Sequence, residues 1–254
     1  MKFLKLPIVT TMHAVGDWEK DKVIAECSDV VIVHNKFCFR KFGFPRKTVI
    51  IPHGCKPSKC NDPVESKKAL GIDPRIPIVG YCGFITQYKG LEFLIEAMKY
   101  VKNAGLLIAG GYHVSPDTQY ITNLKNYSFM VLPGRVQWTG YVPDEKLPVV
   151  YGAMDLVVYP SRYATESGAL LMALSFGKAV IASKIPPFEE KEEEGALITF
   201  RDVPDLVGKI KHLLGDVDAR RRLEDGAREY VRNVSWDRVA KIHIKLYEKV
   251  LSGG

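Results

Sequence analysis

The stretch from Pro160 to Ser183 reads PSRYATESGALLMALSFGKAVIAS, and its small polar turn, Ala164-Thr165-Glu166-Ser167-Gly168, has the residue types of an anion site. The apolar run Leu156 to Tyr159 before it reads as a buried strand. Ala169 to Phe176 after it reads as a helix stopped by Gly177, and Ala179 to Ala182 as a second strand, so the whole is one βαβ unit. Ser167 and Gly168 would let a ligand approach the free amides at the helix start, where the helix dipole favours negative charge and phosphate is the usual occupant. The same residues also describe an ordinary capped helix, and the turn alone favours that reading. A second candidate is Lys89, in Gly83-Phe84-Ile85-Thr86-Gln87-Tyr88-Lys89-Gly90. It opens a predicted helix over 89–102, where the dipole disfavours a cation. An anion facing Lys89 would account for it, and a solvated side chain is the other reading.

These residues need a scaffold that brings loops to one edge. In doubly wound sheets, ligands bind outside the carboxyl ends of the strands. Predicted strands at 76–82, 105–109, 135–138, 154–159, 179–182 and 196–199 alternate mostly with helices. The rule then selects Gly83–Gly90, Gly110-Gly111-Tyr112, Thr139-Gly140-Tyr141-Val142-Pro143 and Pro160–Gly168. The helix over 89–102 carries Leu91, Leu94, Ile95, Met98 and Val101 on one face, and 203–214 and the tail 236–251 have the same period. Before this series come strands at 8–11, 29–33 and 48–51, with helices at Trp18–Ala25 and from the cap Asn35 through Phe42 to Gly43. The turn-rich stretch Pro52 to Ser58 marks a boundary. The predicted class is α/β: a Rossmann-like doubly wound parallel sheet over 57–235, preceded by part of a second Rossmann-like domain over 1–56, with a C-terminal helix over 236–254.

Composition narrows the partners. A chain of 254 residues can form one large domain or two small ones, and a net charge of +7 suits an anionic ligand or surface. Lys and Arg are dispersed rather than blocked, which argues against nucleic acid. Five Cys without framework spacing point to a reduced cytoplasmic setting. Cys55 and Cys60 near His53 lack the spacing and fourth ligand of a zinc site, so no metal is expected. Asp216-Val217-Asp218 lies between two helices and reads as a cap. Met1 to Lys5 begins like a signal peptide, but the residues that follow are too polar for its apolar core. The acidic run Glu189–Glu194 reads as a solvated face.

Taken in order, GFITQYKG, LLIAGG, VQWTGYVPDEKL, DLVVYPSR, SFGKAVIAS and WDRVAKIHIKLYEKVL resemble the donor-sugar half of a family 4 (group 1) glycosyltransferase of the GT-B fold, from Ile76 to the C-terminus. IVTTMH, DVVIVHN and VIIPHG are similar to the last part of that family's N-terminal domain. The resemblance implies transfer of a sugar from a UDP- or GDP-sugar to an acceptor, with retention, no cofactor and no metal. It implies that Lys89 meets the diphosphate and that Ser167 and Gly168 offer amides to it. Tyr141 and Val142 stand where the family holds the base, Gly83 would lie against the sugar or diphosphate, and Gly110 and Gly111 share the same rim. Glu166 would accept from sugar hydroxyls, and His13 matches the family's cleft histidine.

Departures are part of the same reading. Phe84 stands where the family usually carries Arg, and Arg162 on the facing loop is the candidate to restore that charge. Ala164 and Met172 stand where the family usually has two Glu eight positions apart. No counterpart of the family's opening strand and Gly-rich loop precedes Ile8. The expectation is therefore a fragment of a longer enzyme, or a chain completed by a partner or by self-association through an incomplete sheet. The competing reading is a nucleotide-sugar-binding subunit without turnover. A carbohydrate or lipid-linked acceptor at the cytoplasmic membrane face would suit the charge.

Overall fold

A computed structural model describes residues 6–111 and 117–252; the basic start Met1–Lys5 and Tyr112 lie outside the described residues. The fold is α/β with two parallel sheets, and the chain divides into two units. One comprises Met1–Lys56, Ala164–Ser167 and Arg232–Gly254; the other comprises Pro57–Tyr163 and Gly168–Val231.

In the first unit, β1 (Val9–Thr11), β2 (Val30–Val33) and β3 (Thr48–Ile50) pair in parallel in that order, with α1 (Trp18–Cys27) and α2 (Lys36–Phe42) as crossovers. The apolar run of β2 is buried on both faces. Val31 and Val33 pack with Ala25, Cys38 and Phe42, while Ile32 packs with Ile51 and with Val239 of the C-terminal helix Trp236–Leu251. Asn35 caps α2 as its type predicts, its side chain accepting from the Cys38 amide at 2.7 Å.

The second unit holds six parallel strands. These are β4 (Ile78–Cys82), β5 (Gly105–Ala109), β6 (Val136–Gly140), β7 (Leu156–Tyr159), β8 (Val180–Ser183) and β9 (Ile198–Phe200). Their spatial order is β6-β5-β4-β7-β8-β9. The chain winds outward from β4 and then outward again from β7, so the direction reverses between those two strands. That reversal is where a doubly wound sheet opens its binding crevice.

Two sequence expectations change. The helix expected over 89–102 is split. Gln87–Lys89 form a 3₁₀ turn, Gly90 is left-handed at φ +63°, and the α-helix runs only from Leu91 to Met98. Lys89 therefore ends a short turn instead of opening the helix. The acidic run is only partly solvated. It lies largely in the helix Pro186–Glu193, where Glu192 accepts from both the amide and the hydroxyl of Thr199, each at 2.6 Å, and Lys191 is buried. Asp216 caps the following helix through the Ala219 amide at 2.8 Å.

Candidate functional site

At the reversal point the strand ends are stitched into one rim. The Gly83 amide donates to Ala109 O at 2.9 Å, the Gly110 amide to Gly140 O at 2.9 Å, and the Ile85 amide to Gly111 O at 3.2 Å. Gly110 has φ +146°, and a Cβ there would stand 1.9 Å from Gly83 O. Only glycine allows that approach. Gly111 lies beside Tyr141, which is 74% exposed. Val142 is half-buried, and Phe84 is exposed with its carbonyl accepting from the buried Tyr81 hydroxyl at 2.7 Å.

Lys89 stands on the loop that follows β4. It is half-buried, and burial pushes its pKa below the ordinary lysine value. Its Nζ lies 5.1 Å from the centroid of the Tyr88 ring, and among the described residues it forms no ion pair. The loop after β7 reaches the same place, where the Arg162 amide donates to Tyr88 O at 2.8 Å. A cleft of about 610 Å³ there is lined by Gln87, Tyr88, Glu92, Tyr120 and Arg162.

Arg162 does not present an unpaired charge to this cleft. Its Nη2 donates to Glu92 Oε1, its Nε donates to the same oxygen at 3.2 Å, and its guanidinium lies 4.5 Å over the Phe93 ring. Tyr120 donates to the other carboxylate oxygen of Glu92 at 2.9 Å. Burial, and then the Glu92 charge, pushes the Tyr120 phenol up. Arg162, expected to replace the arginine absent at Phe84, is paired with a carboxylate seventy residues away in sequence. Glu92 and Tyr120 were missed because a pairing at that separation leaves no local pattern.

The turn before Gly168 is also more occupied than expected. Glu166 Oε1 accepts from the Ser167 amide at 2.8 Å, so that donor is already engaged by an internal anion. In the first unit, Thr165 O accepts from Asn35 Nδ2 at 2.7 Å, and Thr165 Oγ1 donates to His13 O at 3.2 Å. These bonds fix the turn to the ends of β1 and β2. Gly168 begins the helix Gly168–Ser175, and a Cβ on it would meet nothing within 4 Å. Ala164 is buried and Met172 is 39% exposed, so neither place carries a carboxylate.

His13 belongs to a cluster of three histidines. Its Nδ1 lies 3.1 Å from Nε2 of the buried His34, whose Nδ1 lies 3.0 Å from Ile51 O. The His53 ring is 5.5 Å from that of His13 and 5.1 Å from that of His34. The sequence marks His13 by resemblance and leaves His34 without a role. The signal for His34 was in the register: β1 and β2 pair Thr11 with Ile32, so His13 and His34, each two residues further on, stand abreast.

Two α/β units, each built on a parallel sheet, with a rim of glycines at the strand ends of the second and a lysine there that forms no ion pair among the described residues, define a GT-B-type protein. Among solved structures, the chain aligns over 97% of its length with 68% of sucrose-phosphate synthase from Thermosynechococcus elongatus, at TM-score 0.82 and 24% identity. It aligns over 98% of its length with 73% of Anabaena HepE in complex with UDP, at TM-score 0.85 and 19% identity. The family described as "Glycosyl transferases group 1" matches residues 76–216, and the chain belongs to that family. The alpha-D-kanosaminyltransferase of Streptomyces kanamyceticus is 28% identical over 192 residues, 70% of this chain and 48% of that protein. The chain spans about half the length of the curated relatives it matches.

Proposed function

We propose that this chain binds the diphosphate of a nucleotide sugar at the β4–β7 reversal and serves the transfer of the sugar to an acceptor. The observation that carries this reading is Lys89, whose ammonium is partly withdrawn from water without an ion-pair partner among the described residues. A cation held so is poorly compensated until an anion arrives. The leaving nucleoside diphosphate gathers negative charge in the transition state, and fixed cations and amides aimed at it stabilise that state. Solved relatives of the same fold are described in complex with UDP and with UDP-glucose.

Lys89, Gly83, Gly110, Gly111 and Gly168 are assigned to the diphosphate and sugar. Phe84, Tyr141 and Val142 line the base side, and Arg162 is reached once Glu92 yields. Glu166 and His13 are assigned to sugar hydroxyls, and Ser167 contributes its amide when Glu166 moves off it. The donor is a UDP- or GDP-sugar, the transfer is of the hexosyl type with retention, and no metal or cofactor takes part. The segments 1–56, 57–235 and 236–254 would serve as partial acceptor side, donor side and closing helix. Among the described residues no helix is long and apolar enough to cross a membrane. A cytoplasmic protein, peripheral at the membrane face and acting on a carbohydrate or lipid-linked acceptor with a partner chain, suits the +7 charge. The neutralised Arg162 and the missing carboxylates at Ala164 and Met172 favour a second reading, a binding subunit without turnover.

Calorimetry with UDP, GDP and their sugars tests the assignment. Lys89→Ala should weaken binding by about 1.5–3 kcal/mol, roughly 10- to 150-fold in Kd. Equal affinity in the variant removes Lys89 from the site. Release of sugar from the bound nucleotide sugar separates the enzyme from the binding subunit.

A further inference from the structure

A second cavity lies at the other end of the sheet from the glycine rim. Its volume is about 490 Å³, and every residue that lines it belongs to the second unit. Strands β4, β5 and β6 each begin at it. They run roughly 15 Å, at about 3.3 Å per residue, to the rim at Gly83, Gly110 and Gly140. The lining is largely aliphatic, with Ile72, Ile76, Ile78, Leu106 and Val136, and none of the described lining residues is aromatic. Ile76 is exposed, and Ile72 and Val136 are half-buried, so apolar surface there still meets water. A Cβ on Gly71 or Gly134, which also line the cavity, would meet nothing within 4 Å.

The charged groups at the cavity favour an anion. Its one carboxylate, Asp73, is already held by Arg75, whose Nε donates to Oδ1 at 3.0 Å and whose Nη2 donates to Oδ2 at 2.6 Å. The Arg135 guanidinium donates to Val101 O at 2.8 Å and to Met98 O and Ala104 O, which pins it below the end of the helix Leu91–Met98. Gln137 Nε2 is tied to Leu70 O at 3.0 Å. Lys102 is exposed, and among the described residues it forms no ion pair. It is therefore the cation whose flexible stem can reach a ligand.

We propose that this cavity is a second ligand site, which takes a small aliphatic carboxylate with its chain against the isoleucines and its head group on Lys102. A largely apolar pocket of this size with a few polar groups is the usual form of a small-molecule site. Covering the exposed isoleucine surface with a chain supplies the driving force, and the lysine selects an acid over a neutral molecule. With no aromatic face for a base and one movable cation, the cavity does not suit a nucleotide. The site is thus separate from the donor rim in both place and chemistry, and it does not depend on the function proposed above.

Isoleucine methyl ¹H–¹³C spectra of the whole chain, titrated with sodium octanoate, test the site. The methyl groups of Ile72, Ile76 and Ile78 should shift together and saturate, and added UDP should not reverse the shifts. Lys102→Glu turns an attraction between exposed charges into a repulsion and should weaken octanoate roughly five-fold. The same variant should bind octanol, which has the same chain and no charge, as wild type does. Lys102 is exposed, so its replacement leaves the fold in place. Shifts that do not saturate, that fall on isoleucines outside the cavity, or that UDP reverses would overturn the site. Equal octanoate binding by wild type and Lys102→Glu, or an equal loss of octanoate and octanol, would overturn the choice of a carboxylate.

Discussion

Arg162 lines the cleft, Lys89 follows the cleft residue Tyr88 in the chain, and the two cations differ in one respect. Among the described residues Lys89 forms no ion pair, whereas Arg162 is held by Glu92 and stacked on Phe93. The Arg162 and Glu92 side chains are 52% and 32% exposed, and pairs at such exposure are worth about 0.2–1 kcal/mol. A nucleoside diphosphate brings more charge than one carboxylate and can compete for that guanidinium. Glu92→Gln should therefore release Arg162 and remove a repulsive charge from the cleft. The expected gain is roughly five-fold in UDP affinity, about 1 kcal/mol, shrinking as salt is raised. Titration calorimetry at low and high salt checks it, and unchanged or weaker UDP binding would show that Glu92 does not hold Arg162 back. The same substitution should lower the Tyr120 pKa, since the carboxylate is one of the causes that raise it. Substituting Arg162 alone would miss this competition, because it removes the cation and leaves the Glu92 charge in the cleft.

Among the elements, Gly90 sets the junction between the turn that carries Lys89 and the helix that follows. It closes the 3₁₀ turn and starts the helix Leu91–Met98 in one left-handed residue, and a Cβ on it would stand 2.2 Å from Pro160 O. Gly71 has nearly the same conformation, φ +70°, but nothing lies within 4 Å of its missing side chain. The two glycines separate conformational strain from crowding. Gly71→Ala should cost about 1 kcal/mol, and Gly90→Ala at least twice that, in urea midpoint at constant m-value. Equal costs would mean that the β7 loop yields freely to the added methyl group. Strands and most helices were legible because their apolar runs are long and continuous, as in Val30–Val33 and Leu156–Tyr159. The break at Gly90 was not, because Leu91, Leu94, Ile95, Met98 and Val101 keep one helical face across the true end of the helix. Lys89 was found from its place after a strand, and His13 from a resemblance. The partners that set the chemistry, Glu92 for Arg162 and His34 for His13, depend on tertiary pairing and register.

Across the whole molecule, the groups that respond to acid are divided between the two units. In the first unit burial lowers the pKa of His34, and the hydrogen bonds from Lys20 hold the Asp17 carboxyl down. A group whose folded pKa is depressed binds its proton more readily in the unfolded chain. The stability that His34 confers is complete above the ordinary histidine value near 6.5 and is lost as the pH falls from there through the folded value. In the second unit the shifted acids are carboxylates: Asp73, brought down to about 2 by hydrogen bonds from Arg75, and Glu96, Asp205 and Asp216, each held down by hydrogen bonds. Their contribution is complete above the ordinary carboxylate range near 4 and is lost only below it. Mild acid should therefore loosen the first sheet while leaving the second intact. Amide exchange, corrected for its intrinsic pH dependence, should speed up in β1–β3 between pH 7 and 5 and stay unchanged in β4–β9. His34→Gln, which cannot take up a proton, should flatten that response in the first sheet. Simultaneous loosening of both sheets, or an unchanged response in His34→Gln, would place the acid-sensitive group elsewhere and leave His34 without a part in it.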